Sequence, residues 1–131
     1  MTNYQLSFWN VMEKVNVLER KSFDFAVGVV KLYRKILKEE KEYVLPKQFL
    51  RSGTSIGANI AEANGAISTA DFSSKISIAY KESLETKYWL KLFKETDLIS
   101  KEEYKIYFDQ ADELSRILYA ILKKTRINKQ D

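Results

Sequence analysis

The chain contains no cysteine and no histidine. Without cysteine there is no disulfide framework, no thiolate metal site and no sulfur nucleophile. Without histidine the commonest general base and the commonest transition-metal ligand are both missing. Catalysis would have to rest on carboxylates, lysines, tyrosines or hydroxyls. Proline occurs once and glycine four times in 131 residues. An all-β chain needs many turns and would use more of both, whereas long helices need few. Met1 to Asn10 lack a basic start followed by an apolar run, so no signal peptide is expected. No stretch approaches the apolar length of a membrane span. A soluble, cytoplasmic protein without membrane contact is the expectation.

What is present describes a globular chain, with 45% hydrophobic and 31% charged residues. The length suits one domain around one core. There are 22 Lys+Arg against 18 Asp+Glu, a net charge of +4. That balance permits contact with nucleic acid without demanding it, and a lysine-rich solvated surface is the simpler account.

Hydrophobic periodicity predicts helices throughout. Residues 1–21 are the least regular part; Phe8, Trp9, Met12 and Val15 suggest an N-terminal arm or a short helix. A helix is predicted from Ser22, read as an N-cap, with Ala26, Val29, Val30, Tyr33, Ile36 and Leu37 on one face. It ends in the charged run Lys38 to Glu42. Pro46 suits the first turn of a second helix, because its missing N–H has no partner there anyway. That helix is predicted to stop at Asn64-Gly65. Along it Gly53, Gly57, Ala61 and Gly65 stand four apart and form a ridge of small residues. A glycine inside a helix costs about 1 kcal/mol relative to alanine, so close approach of another backbone is the expected compensation.

Ser68 to Asp71 read as a capping box for a third helix reaching about Thr96. Phe72, Ile76, Ala79, Ser83, Thr86, Leu90 and Phe93 alternate steps of four and three, a heptad seam with a small, hydroxylated middle. Ser100 to Glu103 cap a fourth helix carrying Tyr104, Tyr107, Ala111, Leu114, Leu118 and Ile121 on a similar seam. The short connections imply antiparallel packing. The predicted fold is an all-α, antiparallel up-and-down four-helix bundle over residues 22–124, followed by a polar, basic tail, 125–131, that frays.

Leu50-Arg51-Ser52-Gly53-Thr54-Ser55-Ile56-Gly57-Ala58-Asn59-Ile60-Ala61-Glu62-Ala63, together with Asp71-Phe72, Lys75 to Ala79, Lys81 to Leu90 and Ser22 to Val27, carries a family resemblance. These motifs, in this order and spacing, resemble those of the proteins encoded by intervening sequences in bacterial 23S rRNA genes. The resemblance spans about residues 16–124. It implies the up-and-down bundle, a ring-like homopentamer, and kinship with accessory variability proteins of diversity-generating retroelements, which are pentameric and basic and partner a reverse transcriptase and nucleic acid. It supplies no established biochemical activity.

The family motif positions include Arg51, Asn59 and Glu62 on helix two and Glu82 and Glu85 on helix three. They read as a polar network that fixes helix register or lines an interface, with Arg51 partnering a carboxylate. An unpaired buried charge would cost several kcal/mol. A di-iron bundle needs Glu-x-x-His pairs, which a chain without histidine cannot supply. A carboxylate Mg²⁺ site on Glu82 and Glu85 is chemically allowed, but Lys81 and Lys87 would compete. No catalytic residue, cofactor or metal is assigned. Tyr80, Tyr88, Trp89, Tyr104 and Tyr107 have helical spacing, which favours core or interface over base stacking. Two basic clusters are the nucleic-acid candidates: Lys31, Arg34, Lys35 and Lys38, and Lys123, Lys124, Arg126 and Lys129. The expected partners are further copies of the chain and, through these clusters, RNA or DNA. A protein partner held without nucleic acid is the alternative.

Overall fold

Thr2 starts the first helix. Its hydroxyl accepts a hydrogen bond from the Gln5 backbone N–H at 3.1 Å, and the Gln5 side chain accepts one from the Thr2 N–H at 2.9 Å. This reciprocal cap opens α1, Asn3–Glu40. The structure, a computed structural model, describes the backbone of residues 2–130 and the side chains of residues 2–125.

α1 therefore starts well before Ser22. Ser22 is not a cap but a buried mid-helix residue, its hydroxyl bonded to the Glu19 carbonyl. Val15, Leu18, Ser22, Phe25, Val29, Leu32 and Ile36 are the buried residues of α1 and step by three and four. The inner seam thus continues back into the segment whose outer residues are irregular. Lys41, in the left-handed conformation, ends the helix.

α2 spans Leu45–Asn64, with Pro46 in its first turn. α3 spans Thr69–Glu95. Ser68 caps it by accepting from the Asp71 N–H, and the Asp71 carboxylate accepts from Ile67, one residue before the cap. α4 spans Lys101–Gln130, opened by the Ser100–Glu103 box, in which both bonds form. It continues where the tail was predicted to fray, because residues 123–130 contain neither proline nor glycine to stop a helix.

Each helix packs on its sequence neighbours and α4 returns to α1; among the described residues the diagonal pairs do not meet. The cross-helix ion pairs give the directions. Arg51 meets Glu82 while Glu62 meets Lys75, and Lys21 meets Glu113 while Lys35 meets Glu103. The chain is an antiparallel up-and-down four-helix bundle. The α1–α4 seam is its thinnest.

The core is apolar, with Phe49 edge-on to Phe93 at 5.7 Å, but hydroxyl pairs cross it. Thr86 donates to Ser52 between α2 and α3 at 3.0 Å, and Ser83 and Ser115 share a bond between α3 and α4 at 2.7 Å. Small residues there admit close neighbours, as the seam pattern predicts. The glycine ridge works over half its length. A β-carbon on Gly53 would clash with Val29, and one on Gly57 would press on the Ser22 backbone. Ala61 and Gly65 are exposed. Four residues turn a helix by about 400°, so a four-spaced ridge winds away from its contact.

Candidate functional site

The sequence-predicted polar residues separate into two places on the α2–α3 face. Arg51 reaches across from α2 to two acids spaced by three on α3, which such spacing puts on one face. Its Nη1 donates to both Glu82 oxygens at 3.2 Å, and its Nη2 donates to the Glu85 carboxylate. The hydrogen bond to Glu82 is the main cause that holds the guanidinium pKa above its ordinary value. The Arg51 side chain is 50% exposed and Glu82 19%, so this is a rim network rather than a buried charge. Glu62 pairs instead with Lys75 at 3.1 Å. It lies about 16 Å further along α2 at 1.5 Å per residue. Asn59 donates to the Ser55 carbonyl of its own helix at 2.8 Å and joins neither pair.

This arrangement bears on the Mg²⁺ alternative. A guanidinium already engages both Glu82 and Glu85, and among the described residues no third metal-type ligand joins them. Lys87 does not compete for these acids, because it turns to α4 and pairs with Asp112 at 3.0 Å.

A second polar site sits on the α1–α4 seam. Lys35 donates to Glu103 at 2.7 Å, and the Ser100 N–H donates to the other Glu103 oxygen at 2.9 Å. Burial pushes the Glu103 carboxyl up, but the hydrogen bonds from Lys35 and Ser100 outweigh it and hold the pKa below its ordinary value. The same bond raises Lys35. One turn along, the Tyr107 hydroxyl donates to the Gly28 carbonyl at 3.1 Å, and burial pushes its pKa up. A β-carbon on Gly28 would lie 3.0 Å from the Tyr107 ring. Gly28 is the residue that sequence reasoning missed, and no local pattern announces it.

Lys31, Arg34 and Lys38 are exposed on one face of α1. None has an ion-pair partner among the described residues. Lys35 belongs to the same face but is engaged by Glu103. Of the second cluster, Lys123 is exposed and Lys124 half-buried. The side chains of Arg126 and Lys129 lie outside the described residues. Lys35 is beside Glu103, and Lys123 is about 30 Å further along α4. A single chain therefore keeps the two basic clusters at opposite ends.

The aromatics at helical spacing are packing residues. Tyr80 meets Tyr119 and Tyr104 meets Phe108 at a tilt, and Tyr107 meets Phe25 edge-on. Tyr88 is the exposed member of the set. Trp89 is packed against the core, and its buried Nε1 has no hydrogen-bond partner.

A further surface lies at the N-terminal end of α1, where Tyr4, Leu6, Phe8 and Trp9 are exposed. Its sequence signal is that residues 2–12 carry no charge at all, in a chain 31% charged. Among the described residues no helix is long and apolar enough to cross a membrane.

Comparison with known proteins places these features. Residues 13–120 match the model of a family described as 23S rRNA-intervening sequence protein. Among solved structures the chain is similar to a protein of unknown function from the S23 ribosomal protein family of Bacteroides thetaiotaomicron. The two are 49% identical with a TM-score of 0.82, and the match covers 84% of this chain and 98% of that one. No curated protein matches. Arg51, Glu82, Glu85, Lys35 and Glu103 fall inside the family match; residues 2–12 and the second basic cluster fall outside it.

Proposed function

Because the chain belongs to the 23S rRNA-intervening sequence protein family, we propose that it works as a non-enzymatic homo-oligomer, a pentamer by the family resemblance, that holds nucleic acid through its phosphate backbone. The observation that carries this reading is the face of α1 on which Lys31, Arg34 and Lys38 stand exposed without ion-pair partners among the described residues. Three cations on one helix bind weakly. Repetition around an oligomer multiplies the phosphates held on one strand, and affinity rises without any new kind of interaction. The basic end of α4, with Lys123, Lys124, Arg126 and Lys129, supplies a second ring of positive charge. The name of the family is consistent with a nucleic-acid context but assigns no role. A non-catalytic role agrees with the side chains themselves: Arg51 closes the acid pair on α3, and the core hydroxyls bond to one another.

The test is RNA and DNA binding by the full chain across a salt series. Binding should weaken steeply with salt. The triple variant Lys31→Gln/Arg34→Gln/Lys38→Gln should lower the slope of log affinity against log salt by about 0.7–0.9 for each phosphate it no longer neutralises. No binding at low salt, or an unchanged slope in the triple variant, overturns the reading. A second reading is an oligomer that scaffolds a protein partner without nucleic acid. Glu39, Glu40 and Glu103 favour it, since they line the groove beside Lys35 and blunt the basic cluster. It predicts an assembly whose purified A260/A280 ratio is that of protein alone.

A further inference from the structure

The first three turns of α1 are apolar on more than one side. Tyr4, Phe8, Val11 and Met12 border a groove of about 590 Å³ that also takes in Ile67 and Phe72. Leu6 and Trp9 lie on faces outside that groove. In a single chain Tyr4 stays 76% exposed, Phe8 61%, Trp9 57%, Leu6 49% and Ile67 94%. Thr2, Asn3, Gln5, Ser7 and Asn10 are interspersed, but several large apolar side chains bare at one end of a helix mark a contact surface.

The geometry points to this end of the bundle as a contact with a second copy of the chain, the Tyr4–Phe8–Trp9 ridge of one protomer packing on the ridge and groove of another. This deepens the oligomeric part of the function proposed above and rests on it. Three observations select a second copy. The first is area. Aromatic side chains bury about 150–250 Å² each, so the three rings leave on the order of 400 Å² bare. Leu6 and Ile67 bring the patch toward the about 800 Å² per partner of a standard interface. The second is shape, because a projecting ridge and a groove lie together, so the ridge of one copy can seat in the groove of the next. The third is charge. Residues 2–12 hold no Asp, Glu, Lys or Arg, so the ridge itself sets no like charges face to face. The ridge also lies outside the family match of residues 13–120, while Ile67 and Phe72 of the groove lie inside it.

The test uses Trp9 as its own reporter. The sequence has two tryptophans, and Trp89 gives up no hydrogen bond on replacement because its Nε1 has none. In the full chain carrying Trp89→Phe, Trp9 emission should shift blue and acrylamide quenching should fall as protein concentration and sedimented mass rise. Phe8→Glu should reduce the mass at a given concentration and leave Trp9 quenchable throughout. Tyr4→Glu should do the same, and unchanged circular dichroism certifies that each variant is folded. An assembly that keeps its mass in both variants overturns the patch and leaves the oligomer standing. A wild-type monomer overturns both. Trp9 protection that appears only on adding neutral phosphatidylcholine vesicles also overturns the proposal, in favour of a membrane surface.

Discussion

A β-carbon on Gly53 would stand 2.8 Å from Cγ2 and 2.9 Å from Cγ1 of Val29. Here α1 and α2 approach closely enough that only hydrogen fits. Gly53→Ala gains about 1 kcal/mol of helix propensity, but overpacking costs typically 1–3 kcal/mol, and the stiff χ1 of valine gives little room. A net loss of up to about 2 kcal/mol is expected in urea unfolding. Gly57→Ala should lose less, since its neighbour is the Ser22 carbonyl at 3.3 Å. Gly65→Ala should be near neutral, with only the Glu62 carbonyl at 3.8 Å. Equal effects at all three positions would contradict the close approach.

The shared Ser83–Ser115 bond gives a second expectation. Ser83→Ala should cost about 1 kcal/mol, the usual worth of a net hydrogen bond. Ser115 still donates to the Ala111 carbonyl, so the Ser83→Ala/Ser115→Ala double variant should cost less than the sum of the singles. A double-mutant cycle in denaturant measures the coupling, expected at about 0.5–1 kcal/mol. Strict additivity would mean that the pair does not form.

Arg51→Gln should lower stability by about 1 kcal/mol or less, because the guanidinium is half exposed and surface ion pairs are weak. The loss should shrink in 1 M salt, where the screening length is about 3 Å. Thermal melts at low and high salt read both effects. A loss that grows with salt would contradict an ion-pair role.

The Lys35–Glu103 pair sets a pH dependence. The folded carboxyl holds its proton less tightly than the ordinary value of 4.5, so on acidification the unfolded chain takes up the proton first. Stability from this group is complete above that value and is lost as pH falls through the lower folded pKa. Lys35, raised in the folded chain, contributes below 10.5 and loses its contribution as pH rises through the folded pKa. Glu103→Gln should flatten the acid limb of stability against pH. An acid limb identical to wild type would remove Glu103 from this role.

The bundle was legible because its helices announce their own ends and seams. Ser100 and Glu103, Pro46, and the four-three run from Phe72 to Phe93 each state a local rule that the fold obeys. The start of α1 was readable too, since Thr2 and Gln5 have the spacing of a capping box. Exposed Tyr4, Phe8 and Trp9 blurred the periodicity that would have led back to it. The separation of Arg51 from Glu62, and of Lys35 from Lys123, was harder to read. A family motif places such residues in sequence without saying how far a helix carries them apart. The pairing of Gly28 with Tyr107 depends on the offset between the first and last helices, which neither segment encodes alone.

That last seam shapes how the chain folds. Three of the four helix pairings join elements adjacent in sequence, through connections of a few residues. Such hairpins close at little entropic cost, and chains dominated by local contacts fold quickly. The α1–α4 seam spans most of the chain and is the thinnest. Its cost in loop closure is the highest and its reward the smallest, so it should form last and open first. The hydroxyl of Tyr107 on the Gly28 carbonyl is thus the latch of the folded ring of helices, and amide exchange along this edge should outpace exchange in the α2–α3 interior.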